Sequence, residues 1–225
     1  MSEIRRALVG AVLALCAGSA LATRSIAPPT LDDETTQTHQ EDTHVAMAIW
    51  VPTEVFLKSA GDSLDPVDLK RFVDALEGYV IIGLIDVNIT VPDGDVVPVD
   101  ATGMRASARL KFGDRAARLV LREKDLPPMA AAAAQEFKKL MAGMTGKLGD
   151  SADFVVFKDA DEHGRSLSDP RGSGAMTLTF DKETFTWSLP LVSVQALRVD
   201  RATGDTFPGD YDFSPFTGNR LAVAK

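Results

Sequence analysis

Cysteine is almost absent from this sequence. The 225-residue chain has one, Cys16, and it lies in an apolar run near the N-terminus that we expect to be removed. A lone thiol forms no internal disulfide, and a mature chain without thiols has neither a cysteine nucleophile nor cysteine metal ligands. The roughly 200 residues that remain are enough to bury a stable core without cross-links. We therefore expect a domain held by packing alone, with no cofactor.

Long apolar runs and excess positive charge are also missing. The first run, residues 7–16, is shorter than the roughly 20 residues that cross a bilayer, and Asp86 and Asn88 interrupt the next. The chain has 24 Lys and Arg against 32 Asp and Glu, a formal charge of −8. Nucleic-acid binding usually requires a basic face, so this balance argues against it. We expect neither a transmembrane span nor a nucleic-acid partner.

The N-terminus has the order of a secretory signal peptide. Arg5 and Arg6 are followed by the apolar run and then by the small-x-small triplet Ala20-Leu21-Ala22. Signal peptidases cleave after such triplets. We predict a signal peptide over residues 1–22 and an exported protein that is periplasmic or secreted.

A lipid anchor is the alternative fate of this segment. Leu13-Ala14-Leu15-Cys16 resembles the lipobox of bacterial lipoproteins, in which the cysteine becomes lipidated. The residue before that cysteine is small in the family, whereas here it is leucine. Lipidation of Cys16 would attach the protein to the envelope.

Residues 23–43 are polar and acidic and contain Pro28-Pro29 but no apolar period. They predict a disordered acidic linker. The remainder, residues 44–225, predicts a single domain whose last part, residues 200–221, is rich in Gly, Pro and Asp and forms a turn-rich tail.

Two helices are predicted within this domain. Asp65 can cap the first, Pro66 suits its first position, and Gly78 can end it. Asp125 can cap the second. Its apolar face is predicted from Met129, Ala133, Phe137, Leu140, Met141 and Met144, the methionines filling core space.

The other segments read as strands. Residues 79–90 form an apolar, β-branched run, and residues 44–57, 153–157 and 192–199 also look extended. Two hairpins are predicted, 106–112 with 115–122 and 175–180 with 184–189. Because helices and strands do not alternate regularly, we predict an α+β fold, with a mostly antiparallel sheet or a β-sandwich carrying two helical insertions.

The four residues Gly61-Asp62-Ser63-Leu64 resemble the signature of GDSL-type esterases. That family also uses a Gly-x-Asn-Asp block and an Asp-x-x-His motif. Neither is present, since Ala160 stands three positions before His163. The resemblance nevertheless makes Ser63 the candidate nucleophile and His163 the candidate base of a hydrolase. Gly-Asp-Ser is also typical of a loop before a helix, and we favour that interpretation.

Two stretches hold potential metal ligands. The segment from Asp159 to Gly164 resembles the start of a calcium loop, although His163 stands at its fifth position and Pro170 at its twelfth. Asp159 and Asp161 are thus candidate calcium ligands, although the sequence favours an exposed acidic turn as the alternative. His39 and His44 form the second, weaker candidate.

The tail combines two similar turns, Thr203-Gly204-Asp205 and Thr217-Gly218-Asn219, with several aromatic residues. We predict that both glycines adopt positive φ. The aromatic cluster could anchor the tail or form a ligand-binding platform; its members are Phe207, Tyr211, Phe213 and Phe216.

No complete catalytic constellation emerges from these motifs. The sequence favours an exported, bacterial-type envelope protein that acts without catalysis as a binding or structural module on an unknown envelope partner or ligand. The alternative is a secreted hydrolase that uses Ser63, or a pair of carboxylates, with His163.

Overall fold

The computed structural model describes residues 24–60, 65–99 and 101–224 of the chain. Twelve strands in three mostly antiparallel sheets and six α-helices make up this part, which confirms the predicted α+β class. The chain divides into two compact units, Pro29–Val194 and Met1–Pro28 with Gln195–Lys225, where we predict a single domain over residues 44–225. No helix in the described part is both long and apolar enough to cross a membrane.

The larger unit contains a five-stranded sheet centred on β3 (Tyr79–Ile89). On one side β3 pairs with β2 (His44–Val51), and β2 pairs with β1 (Thr36–Glu41). On its other side β3 pairs with β7 (Asp153–Lys158) along its first half and with β4 (Val96–Pro98) along its second. The predicted buried strand over residues 79–90 is therefore the centre of the sheet.

A second sheet of four strands packs on one face of the first. Its order is β6 (Arg118–Leu119), β5 (Arg109–Phe112), β8 (Gly174–Phe180) and β9 (Glu183–Leu189). Alternate residues of both sheets meet in one core, in which the Trp50 and Trp187 rings lie edge to face at 6.2 Å. Both predicted hairpins are present, as β5–β6 and β8–β9.

Helices cover the opposite face of the five-stranded sheet. They are α3 (Pro66–Leu76) and α5 (Pro128–Thr145), with the short α2 (Thr53–Ala60) and α6 (Lys147–Asp150) beside them. The short α4 (Ala101–Ser107) instead contributes Met104 to the core between the two sheets. Asp65 caps α3 as predicted, accepting a hydrogen bond from the Val67 N–H. The larger unit is thus a two-sheet sandwich with a helical layer on one side.

The second helix differs from its prediction. It begins at Pro128, because Asp125 lies in a 3-10 turn and its carboxylate accepts from Arg122 instead. Its buried face is made by Ala130, Ala133 and Ala134, while Met129, Leu140 and Met144 are exposed. The small alanine side chains let the helix backbone lie close to the sheet. Because Met129 and Met144 are exposed, the prediction that they fill core space is wrong.

Residues 31–41, predicted as part of a disordered linker, form α1 (Leu31–Thr35) and β1. A capping box between Thr30 and Asp33 starts the helix, and Leu31 is buried in the core. β1 is polar because it is an edge strand, so it lacks the apolar alternation that predicts strands. Residues 53–57, predicted as extended, instead belong to α2, which begins directly after Pro52.

The smaller unit contains a three-stranded sheet of β11 (Thr206–Phe207), β10 (Arg198–Val199) and β12 (Ala222–Val223). Only residues 198–199 of the predicted strand over 192–199 are extended in a sheet, and Val192–Val194 forms a 3-10 turn. Gly204 and Gly218 have φ of +77° and +75°, which confirms the predicted turn glycines. The Asp200 carboxylate joins the two turns, because it accepts hydrogen bonds from the Ala202 backbone N–H, just before the first turn, and from the Thr217 hydroxyl in the second.

Candidate functional site

Of the two candidate catalytic residues, Ser63 and His163, the structure describes only His163. Ser63 lies outside the described residues. His163 lies in the loop after β7 with 66% of its side chain exposed, and its ring is 3.6 Å from the exposed carboxylate of Glu162. A general base needs a fixed orientation and a positioned reaction partner, and this setting supplies neither for His163.

Asp159 and Asp161, the candidate calcium ligands, hold this same loop together. The Asp159 carboxylate accepts from the Ser166 hydroxyl and from the backbone N–H groups of Leu167 and Ser168, at 2.9 and 2.8 Å. The Asp161 carboxylate accepts from the backbone N–H of His163 and from Arg165. Each carboxylate is therefore used within the loop, as in the alternative of an acidic turn.

The pKa values of the Asp159 and Asp161 carboxyl groups are shifted in opposite directions. Burial raises the pKa of the Asp159 carboxyl, against the hydrogen bonds that favour its ionised form. The hydrogen bond from the Arg165 backbone N–H is the largest cause that lowers the pKa of Asp161 to about 2. Across residues 24–60, 65–99 and 101–224, no three His, Cys, Asp or Glu side chains are arranged to hold a metal ion.

His39 and His44 lie on neighbouring strands, and each meets a different carboxylate. His39 Nδ1 is 2.8 Å from Glu183, and its ring stacks on Phe185 at 4.3 Å. His44 Nε2 is 2.6 Å from the buried Asp86. Both side chains help to hold the sheets in place, and the structure does not bring them to one site.

Three of the four residues of the predicted aromatic cluster, Phe207, Tyr211 and Phe216, lie together in the smaller unit. Phe207 is fully buried and stands 6.1 Å from the Tyr211 ring and 5.7 Å from the Phe216 ring. Phe213 is 60% exposed, and the Arg24 guanidinium lies over Phe216 at 4.2 Å. Phe207 thus anchors the turns, and its neighbours surround it.

An acidic pocket of about 250 Å³ lies in the larger unit between β2, α3 and the loop after β7. The carboxylates that line it come from Glu54, Glu77, Asp159 and Asp169. Most of these are already engaged: Glu54 pairs with Arg171, Asp159 holds its loop, and Asp169 accepts from the Arg171 N–H. His163 is not among the lining residues.

A larger cavity of about 560 Å³, the arginine-rimmed pocket, opens between α4, α5 and the segment 119–126. This segment leaves β6 and runs along the outer edge of β7, where the Leu121 N–H donates to the Val156 carbonyl. The inner surface of the pocket is apolar and includes Leu121, Leu126, Ala131, Ala134 and Phe154. Its polar lining consists of Arg105, Arg109, Arg122, Glu123 and Gln135.

Gly83 makes room for the ring of Phe154, which lines the pocket. A side chain at this position in β3 would place its Cβ 2.9 Å from the Phe154 ring, so only glycine lets that ring lie flat over the strand. Phe154 in turn stacks with Phe137 of α5 at 5.8 Å. A glycine inside a buried strand is the one sequence signal that points to this place.

The three arginines are held in different ways. Arg105 grips Asp153 through Nε and Nη2, at 2.9 and 3.4 Å, and Arg122 Nε donates to Asp125 at 2.7 Å. Arg109 instead donates from Nη1 to the carbonyls of Ala106 and Ala108, at 2.7 and 2.8 Å. The sequence does not single out these arginines, because they form no motif.

Comparison with known proteins places no relative beside this chain. It matches no protein-family model, and neither curated proteins nor solved structures give a significant match.

Proposed function

We propose that this is an exported, non-catalytic binding protein of the bacterial-type envelope, and that the arginine-rimmed pocket is its ligand site. The observation that carries the proposal is the pocket itself. Small-molecule sites are typically concave, about 300–1,000 Å³ in volume, and mostly apolar with a few convergent polar groups. The volume of about 560 Å³ lies in this range, and apolar side chains and arginines share the lining.

Export is supported by the sequence of residues 1–22, and cleavage after Ala22 would release a chain of charge 22 − 31 = −9, since Arg5, Arg6 and Glu3 are lost. A charge of this sign keeps a protein soluble and away from anionic membrane surfaces. A freely diffusing ligand therefore suits the protein better than a membrane surface.

Filling the pocket tests the proposal. Ala131 lines it, whereas Ala132 is the exposed neighbour on the same helix. We expect the neutral apolar dye Nile red to bind saturably, with a blue-shifted emission, and Ala131→Trp to weaken its binding at least about tenfold by occupying the apolar space. Ala132→Trp, with the same added ring, should leave the affinity unchanged. Equal affinities for the two variants would rule out this pocket as the ligand site.

A hydrolase is the second candidate, and one observation favours it. The acidic pocket brings several carboxylates together, and burial raises the pKa of Asp159, as in general acids of glycosidases. A panel of aryl glycosides and aryl esters tests it. Turnover abolished by Asp159→Asn, or by Ser63→Ala, would favour a hydrolase over a binding protein.

A further inference from the structure

We propose that the arginine-rimmed pocket selects a monomeric amphiphile with a single carboxylate head group, and that Arg109 binds this head group. The inference rests on the proposed function and names the ligand class of the same pocket.

Arg109 presents an unused fork of donors. Its Nη1 is anchored by the carbonyls of Ala106 and Ala108, which fixes the orientation of the guanidinium. The other edge, Nε and Nη2, meets no acceptor among the described residues. Arg105, four positions earlier, uses this same edge to hold the Asp153 carboxylate. A guanidinium edge with two N–H donors binds a carboxylate in a bidentate manner. A ligand carboxylate could therefore bind to Nε and Nη2 of Arg109 as Asp153 binds to those of Arg105.

Two of the three lining arginines are balanced by carboxylates, Arg105 by Asp153 and Arg122 by Asp125. Arg109 has no carboxylate partner among the described residues. Because the whole chain has a formal charge of −8, such an unpaired guanidinium attracts an anionic group to one place and leaves the rest of the surface repulsive. Glu123 is the one carboxylate in the lining, and it opposes an anionic ligand.

The inner apolar wall accounts for the rest of the ligand. Phe154 and Ala134 are buried, and Leu121 and Leu126 are half-buried beside them. A linear apolar chain in contact with them would gain about fourfold in affinity for each CH₂ group that leaves water.

Calorimetry with decanoate and decanol, each below its aggregation concentration, tests the inference on the full mature chain. The two probes share the chain and differ in the charge of the head group. We expect decanoate to bind about tenfold more tightly than decanol, and octanoate to bind more weakly than decanoate. Arg109→Gln should lower decanoate affinity about tenfold to a hundredfold and leave decanol affinity within about twofold.

Matched variants distinguish bidentate hydrogen bonding by Arg109 from the effect of its positive charge alone. Lys111→Gln removes the same charge from an exposed position two residues along β5, outside the pocket lining, and should change decanoate affinity by less than about twofold. Arg109→Lys keeps the charge but not the fork, so an intermediate loss is expected. Glu123→Gln removes the opposing carboxylate and should strengthen decanoate binding.

The outcomes distinguish this inference from the proposed function. Equal affinities for decanoate and decanol, or equal losses in the Arg109→Gln and Lys111→Gln proteins, would overturn the carboxylate selectivity while leaving the pocket as a binding site. Failure of both probes to bind would overturn the pocket itself. Co-sedimentation with phosphatidylglycerol vesicles tests whether the anionic amphiphile is instead a membrane lipid. We expect the protein to remain in the supernatant. Sedimentation that depends on Arg109 would contradict a monomeric ligand.

Discussion

Asp159 and Asp161 lie two positions apart in the loop after β7, yet the protein moves the pKa values of their side chains in opposite directions. Asp159 loses hydration because it is buried, and this raises its pKa above the usual 3.8 despite its hydrogen bonds. Asp161 gains hydrogen bonds from Arg165 and His163 that favour the ionised form. In this segment, which resembles a calcium loop in sequence, hydrogen-bond donors of the chain itself bind the two carboxylates.

Asp159→Asn tests the cost of the buried charge. A raised folded-state pKa favours folding fully below pH 3.8, and this contribution is lost as the pH rises through the folded-state pKa. The asparagine amide can still accept from Leu167 and Ser168 and donate to Ser166. We expect the variant to be at least as stable as wild type at pH 7 and to lose this part of the pH dependence, as measured by urea unfolding from pH 3.5 to 7.

Asp159→Ala is the matched comparison, because it leaves the N–H groups of Leu167 and Ser168 without acceptors. It should cost about 1–3 kcal/mol at pH 7. If the asparagine variant were as unstable as the alanine variant, the charge itself would be required, and our account of the raised pKa would be wrong.

Asp161→Asn should show the opposite pH dependence. A lowered folded-state pKa contributes stability above pH 3.8 that is lost as the pH falls through about 2. The free energy of unfolding of the variant should therefore lie below that of wild type near neutral pH, and the gap should narrow as the pH falls from 4 towards 2. A gap that is independent of pH in urea unfolding would contradict the assignment.

At the scale of elements, α1 and β1 belong to the folded unit. The Thr35 carbonyl accepts from the buried Trp187 indole N–H at 3.1 Å, and the Gln37 amide pairs with both backbone groups of Thr186. The Glu34 carboxylate accepts from the N–H groups of Val192 and Ser193. These contacts join the N-terminal segment to the edge of the second sheet, so the segment closes the sandwich.

Truncation tests this role. A protein that begins at His44 loses Leu31 and all of the contacts of Thr35 and Gln37, and we expect it to unfold at lower urea or not to fold. A protein that begins at Arg24 keeps every described residue and should unfold as the mature protein does. Circular dichroism during urea unfolding compares the two, and equal midpoints would show that the segment is dispensable.

A single substitution gives a milder form of the same test. Leu31→Ala should lower the free energy of unfolding by about 2–4 kcal/mol, because it opens a cavity in the core. Asp32→Ala changes the exposed neighbour on the same helix and should cost less than about 0.5 kcal/mol.

At the scale of the whole molecule, the described contacts of the chain begin at Arg24, whose backbone N–H donates to the buried Asp205 at 2.6 Å. Predicted cleavage after Ala22 therefore leaves one residue, Thr23, before a fixed contact. Lipidation of Cys16 would leave residues 17–23, seven positions, between the anchor and that contact. Such a tether is much shorter than one that includes the whole segment 23–43.

The mass of the mature protein distinguishes the two fates. We expect a mature chain that begins at Thr23, unchanged by Cys16→Ser. Ala22→Arg should block processing because it removes a small residue of the cleavage triplet, whereas Leu21→Gln at the variable position should not. A lipid-modified Cys16 in the mass spectrum would contradict release and would place the protein on the envelope.

The α+β class, the first helix with its Asp65 cap, both hairpins and the turn glycines follow from the sequence, because local periodicity, capping and backbone φ depend on nearby residues. The folding of residues 31–41, the alanine face of α5 and the pocket depended on the tertiary structure. An edge strand needs a sheet to pair with, and a helix buries whichever side lies against its neighbour. Arg105, Arg109 and Arg122 share one cavity only because β5, α4 and segment 119–126 meet there, and no local pattern records that meeting.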